Sequence, residues 1–265
     1  MPRLEARWFI DNVYRTKPDS NPVLLDLAKL DFNIVQSIHQ NDLKDVSRWW
    51  NSTGLGEKLE FARDRLMANF FWSVGMGCEP HLQYLRTMST KIASFITIVD
   101  DVYDVYGTLD ELELFTDAVE RWNIGAIDSL PNYMQICFIA LHNTINDMAF
   151  DAIKDHGVNV IPYLRKMEEA KRGEVAKSIQ CYMNDTGASE QEARRYLKDF
   201  IMESWKKLNE EVQTLNNSPL LSKSFIEIAL NVARISHTVY QHRDGHTVED
   251  HETKDRVLSL FIKPA

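Results

Sequence analysis

Three aspartates, Asp100, Asp101 and Asp104, close the segment ASFITIVDDVYDVYG at residues 93–107, where an apolar run stops abruptly in negative charge. Residues four apart on a helix share a face, so Ile92, Ile96, Asp100 and Asp104 form one row, apolar at first and then acidic. The last turn of a helix already carries partial negative charge, and each carboxylate placed there costs about 0.3–1 kcal/mol. The cluster is therefore either a solvated acidic helix end or a cation platform built from Asp100 and Asp104. Hard carboxylate oxygens suit Mg²⁺, which keeps several waters and bridges to phosphate. The apolar row beneath favours the platform, because a stripe that changes from core to charge has the character of a cavity rim. Asp101 is rotated by roughly 100° from Asp100, which suits a partner for an arginine better than a direct ligand.

The helix that presents these groups is read from Leu85, Met88, Ile92, Phe95, Ile96, Val99, Val102, Tyr103 and Tyr106, whose three- and four-residue steps predict a buried face. Gly107 marks its stop. Thr108-Leu109-Asp110-Glu111 has the form of a capping box, and Ser189 to Glu192 and Ser224 to Glu227 repeat it. Helices are expected over about 109–122, 131–155, 190–215 and 224–241, with turns at Gly125, Gly157, Gly187, Pro219 and Gly245. Only 10 Gly and 8 Pro in 265 residues, with 44% hydrophobic residues, predict an all-α chain that can bury a substantial core. There is no internal repeat and no linker long enough to divide domains.

The net charge of −9 speaks against a nucleic-acid surface, so an anionic ligand must be handled locally by a metal or a few placed cations. No apolar run is long enough to span a membrane. The opening MPRLEARWFIDNVYR has neither the apolar core of a signal peptide nor the Ser-rich, acid-poor character of a transit peptide, so the chain as written is expected in the cytosol. Cys78, Cys137 and Cys181 are odd in number and widely spaced, which points to neither a disulfide framework nor a zinc site. His237, His242, His246 and His251 could form a metal site, but Gly245 interrupts the helix that would align them.

With its neighbours included, the aspartate segment DDVYDVYGTLDEL resembles the aspartate-rich motif of plant class I terpene synthases. RWFIDNVY, NPVLLDLAKLDFNIVQ, DVSRWW, GLGEKLEFARDRLMANFFW, LPNYMQICFIALHNTIN, KRGEVAKSIQCYMNDTGASEQEAR, SWKKLNEE and YQHRDGH look like family segments in family order. The likeness is to the monoterpene-forming branch. It implies the all-α class I terpenoid synthase bundle, geranyl diphosphate as substrate, Mg²⁺ as cofactor with Mn²⁺ as an alternative, and a plastid location. No nucleic-acid partner is implied, and the protein is expected as a monomer or weak homo-oligomer. Residues 1–20 would be the end of an N-terminal helical domain and residues 21–265 the catalytic domain, lacking several helices near 164–169.

The resemblance also implies site residues. Asp100, Asp104 and Glu169 would hold metal, and the pair Arg63 and Arg65, supported by Asp101, would hold diphosphate. By their spacing alone the two arginines read as a solvated pair that could share a ligand only where a helix begins or distorts. Trp72 matches a tryptophan at the cavity base, although a lone Trp is more often core. Tyr240 and Asp244, in YQHRDGH, match a loop that closes over the pocket, with Arg243 where the family usually has glycine. The match fails at the second metal motif. Glu169 answers to its final glutamate, but the positions of its acidic and hydroxyl ligands carry Ile161 and Arg165, as if a coding block between VIPYL and KRGEV had been skipped. Apolar faces such as IALHNTINDMAFDAI would then lack partners. The alternative to a monoterpene synthase is thus a non-catalytic remnant that binds diphosphate or a partner. A chain-elongating prenyltransferase would need a second DDxxD, and only one is present.

Overall fold

The computed structural model describes residues 4–17, 21–162, 178–215, 221–240 and 251–265. Among them every regular element is helical: α1 (Ala6–Phe9), α2 (Pro22–Thr53), α3 (Leu55–Lys58), α4 (Leu66–Met76), α5 (Gln83–Asp101), α6 (Leu109–Arg121), α7 (Asn132–His156), α8 (Ser178–Thr186), α9 (Glu190–Leu215), α10 (Lys223–Val239) and α11 (His251–Phe261). The predicted helices beginning near 109, 131 and 190 are present within a residue or so of their expected ends. The chain divides into two compact units, Met1–Arg165 with Asn231–Ala265, and Lys166–Leu230.

In the first unit α2 is started by Asn21, whose side chain accepts from the Val23 amide at 2.9 Å, with Pro22 in the first turn where its missing N–H is harmless. Gly54 ends it at φ 66°. Its buried residues, Phe32, Val35, Gln36, His39, Asp42, Val46 and Trp50, follow helical spacing. One core joins Phe32 and Val46 to Phe70, Phe71 and Val74 of α4, Ile235 of α10 and Phe261 of α11. Leu4 and Ile10 are built into this same core. Gly75 lets α4 and α10 approach, since a Cβ there would stand 2.5 Å from Ile235 Cδ1. A second core joins Phe95, Ile98 and Val102 to Phe115, Met134, Phe138 and Leu141.

The buried face of α5 differs from the apolar row predicted. Phe95 and Val102 are buried, but Ile96, Tyr103 and Tyr106 are 40%, 40% and 54% exposed. In their place Arg86, Thr90, Ser94, Thr97 and Asp101 are buried, at the same helical spacing. They pack inward because α4 offers polar partners. Thr90 Oγ1 donates to Ser73 Oγ at 3.0 Å, and Asn69 Nδ2 donates to Ser94 Oγ at 3.4 Å. Arg86, wholly buried, pairs with Asp42 at 2.7 Å and donates to the carbonyls of Gly77, Glu79 and Pro80. Part of α7 is uncovered as expected, with Phe150 65% and Ile153 48% exposed.

Two terminal signals act differently from expectation. Gly107 does close the helix, but with φ −72° and ψ 140° it is extended rather than left-handed. Its lack of Cβ serves a close approach instead: a Cβ would lie 2.9 Å from the Val102 carbonyl and 2.7 Å from Leu112 Cδ2. The cap of α10 is Ser222, whose Oγ accepts from the Phe225 amide at 3.2 Å, so Ser224 lies inside the helix. The boxes at Thr108/Glu111 and Ser189/Glu192 form as written. Within the second unit, α8 and α9 are joined by the stacking of Tyr182 on Tyr196, with centroids 4.2 Å apart.

Candidate functional site

The acidic end of α5 is set by a change of helical pitch. After Asp101 the chain widens into a single π-turn over Val102–Tyr106, closed by the Gly107 amide on the Val102 carbonyl at 2.8 Å. This separates the three aspartates by environment: Asp101 is 1% exposed, Asp100 is half-buried, and Asp104 is exposed in the π-turn.

Asp101 is wholly engaged by Arg63. Its Oδ1 accepts from Arg63 Nε at 2.8 Å and from Nη2 at 2.6 Å, while its Oδ2 accepts from the Arg63 backbone amide at 2.8 Å. The arginine partner inferred for Asp101 is thus present, and Asp101 has its acceptors turned away from any ion. The hydrogen bond to Asp101 raises the Arg63 pKa above its ordinary value, with further contributions from the charges of Asp101, Asp100 and Asp104. Arg63 therefore stands inside the field of both remaining carboxylates. Its side chain is 39% exposed, so the guanidinium sits at the rim rather than in the core.

Arg63 and Arg65 lie in the irregular stretch before α4, with Arg65 as the residue that precedes its first turn. Asp64 Oδ1 caps the Leu66 amide at 3.1 Å. The regular helix that would splay the two arginines is absent at this point. From there α4 runs antiparallel to α5: Arg63 meets Asp101, Asn69 meets Ser94, and Ser73 meets Thr90. Trp72 is consequently level with Thr90, roughly 15 Å along the helix from Asp100. It meets Tyr240 edge to face, with centroids 6.1 Å apart, so two aromatic residues far apart in sequence are brought together.

Glu169, Asp244 and Arg243 fall outside the described residues, as do His242 and His246. Among the described residues no group of three His, Cys, Asp or Glu side chains is placed to hold a metal ion. Asp100, in the last turn of α5, and Asp104, in the π-turn that follows, supply two hard-oxygen donors whose charges both act on Arg63. That donor set fits Mg²⁺, which completes its shell with water and phosphate oxygens. One hollow is lined by Leu4, Phe32, His39 and neighbours, and another, in the second unit, by Tyr182, Tyr196 and neighbours. Neither includes Asp100, Asp104 or Trp72.

An arginine partner for Asp101 was legible in the helix geometry and Arg63 was implied by the family resemblance, whereas the aromatic packing around them was not legible. Phe61 lies flat on Tyr106, with centroids 4.0 Å apart and planes 4° apart, and Tyr133 stands edge-on to both. Tyr133 donates to Glu111 Oε2 at 3.1 Å, the same oxygen that closes the Thr108 capping box. Burial, then the Glu111 hydrogen bond, pushes the Tyr133 pKa up to about 12.

The helical architecture of the described residues is that of the class I terpenoid synthases, as comparison with solved structures shows. Residues 51–170 match the terpene synthase family metal binding domain, and residues 165–207 match the C-terminal metal binding domain of terpene synthase family 2. The chain belongs to the terpene synthase family. Over its whole length it is 46% identical to (-)-alpha-terpineol synthase of Vitis vinifera and 46% identical to the chloroplastic myrcene synthase of Quercus ilex, spanning 58% of each. Isoprene synthase of grey poplar, in complex with three Mg²⁺ ions and dimethylallyl-S-thiolodiphosphate, superposes with a TM-score of 0.90 at 40% identity, over 99% of this chain and 65% of that one. Limonene synthase with 2-fluorolinalyl diphosphate gives a TM-score of 0.91 at 35% identity, over 99% and 63%. The chain thus spans less than two thirds of these relatives. Its alignment with the terpineol synthase runs over 347 positions against 265 residues here, so the relative carries intervening segments that this chain lacks.

Proposed function

We propose that the protein is a terpene synthase of the monoterpene branch, which ionises geranyl diphosphate with loss of diphosphate and carries the cation to a cyclised or deprotonated product. The observation that carries this is the Arg63–Asp101 contact, which sets an arginine within the field of the other two carboxylates of the motif, Asp100 and Asp104. Asp100 and Asp104 would hold Mg²⁺, with Glu169 as the further ligand. Magnesium, when bound, supplies Lewis-acid stabilisation of the negative charge that builds on the leaving diphosphate. Arg63, held from behind by Asp101, directs its remaining donors at the same anion, and Arg65 supports it from the start of α4. Trp72 and Tyr240 present aromatic faces, each able to stabilise a cation by about 0.5–2 kcal/mol without reacting with it. Asp244 belongs to the segment that would close the pocket against water. Plastid residence is supported by relatives named chloroplastic.

A second function is favoured by a specific observation. The alignment with the terpineol synthase shows intervening segments that this chain lacks. A chain without them would bind diphosphate and metal without turnover. Gas-chromatographic product analysis with geranyl diphosphate and Mg²⁺ separates the two. Terpene formed by the chain and lost in Asp100→Ala and Asp104→Ala establishes the synthase. No terpene from a folded sample that still binds Mg²⁺ with pyrophosphate establishes the binding protein.

A further inference from the structure

We propose that the stacked pair Phe61 and Tyr106 is a positioning clamp that fixes the arginine-bearing segment 59–65 against the acidic end of α5. Its effect on ligand binding rests on the metal–diphosphate function above, while its existence rests on geometry alone. Phe61 lies two residues before Arg63 and Tyr106 two residues after Asp104, so the stack joins the same two segments as the Arg63–Asp101 contact. One attachment leaves a pivot, and two fix an orientation. Leu59 anchors the front of the segment in the core at 0% exposure and Ala62 packs beside it, but residues 59–65 form no helix and Arg63, further along, is only part-covered, so the arginine end depends on these two contacts for its orientation.

The clamp is held from both sides. Tyr133 of α7 stands edge-on to both rings, 5.8 Å from Phe61 and 5.0 Å from Tyr106, and is itself anchored on Glu111. Tyr106 reaches Phe61 from the π-turn, whose closure on Gly107 leaves no space for a Cβ. Neither ring is a deep core residue: Phe61 is part-buried and Tyr106 is 54% exposed. A full stack near the surface, beside the Arg63–Asp101 contact, serves the relative placement of the two segments more than the stability of the bundle.

Amide hydrogen exchange on the full chain tests this directly, because the Arg63 amide donates to buried Asp101. Tyr106→Ala is expected to exchange roughly two- to tenfold faster at residues 60–65, the ratio that corresponds to a lost aromatic pair. The α7 amides around Leu141 should be unchanged, and Tyr106→Phe should restore protection. Exchange at Arg63 unchanged in Tyr106→Ala, or faster by an equal factor everywhere, would overturn the clamp. Calorimetry with Mg²⁺ and inorganic pyrophosphate gives the second readout. Tyr106→Ala should bind roughly two- to tenfold more weakly, with Tyr106→Phe like the unaltered chain, and equal affinity in all three would also overturn it. If the unaltered chain binds no pyrophosphate, the metal–diphosphate function falls, and exchange at Arg63 decides the clamp.

Discussion

The substitution Asp101→Asn measures how much the acidic end of α5 depends on its arginine. In the native chain both Asp101 oxygens accept: Oδ1 takes two bonds from the Arg63 side chain and Oδ2 takes one from the Arg63 amide. Asparagine has the same shape but only one acceptor oxygen. Whichever way it turns, its NH₂ faces an N–H, so one set of bonds is lost and a donor is left opposed by a donor in a site 1% exposed. A hydrogen bond to a charged group is worth about 1.5–3 kcal/mol. Arg63 is 39% exposed and can turn partly to water, which places the net cost near the lower end, about 2 kcal/mol. For a chain of this size that corresponds to a melting temperature lower by about 4–8 °C. Thermal unfolding followed by circular dichroism at 222 nm reads the shift, and urea unfolding checks the free energy through its midpoint at constant slope. Asp101→Asn melting within a degree of the unaltered chain would refute the reasoning, because the Arg63 contact would then contribute nothing to the end of α5.

Other consequences are open to equally direct checks. Asp42→Ala leaves Arg86 charged at 0% exposure and should cost about 3–5 kcal/mol, more than Asp101→Asn, with part recovered in Asp42→Ala/Arg86→Met; urea midpoints of the three chains decide it. Gly75→Ala drives a Cβ to within 2.5 Å of Ile235 and should destabilise by about 1–3 kcal/mol, with Ile235→Ala in the same chain relieving the loss. Tyr133 holds its proton more tightly folded than unfolded, so its contribution to stability is complete below the unfolded value near 10 and fades as pH rises towards 12. Absorbance titration at 295 nm should show a late phase that includes Tyr133, and Glu111→Gln should move that residue's share to lower pH.

Much of the fold was legible because the helix ends are written in local chemistry. Thr108/Glu111 and Ser189/Glu192 satisfy their first-turn amides with their own side chains, so short-range spacing suffices. Asp101 as an arginine's partner could be read from helix geometry, since its direction differs from that of Asp100. The buried face of α5 could not. Hydrophobic spacing marked Ile96 and Tyr106 as core, yet Arg86, Thr90 and Ser94 are buried in a polar seam whose partners, Asp42, Ser73 and Asn69, lie on other helices. A polar residue inside depends on what it faces, and that is a tertiary fact. The same limit hid the Phe61–Tyr106 stack, which joins residues 45 positions apart through a π-turn that no spacing announces.

In the proposed function Asp100 and Asp104, with Arg63 in their field, form a site for a metal-bound diphosphate. The most direct measurement is calorimetric titration of pyrophosphate into the folded chain with and without Mg²⁺, repeated on Asp100→Asn and Asp104→Asn. Binding that requires Mg²⁺ and falls at least tenfold in each variant, with melting temperatures unchanged, is the predicted result. Binding that ignores Mg²⁺ or survives both substitutions would place the diphosphate elsewhere and contradict the assignment.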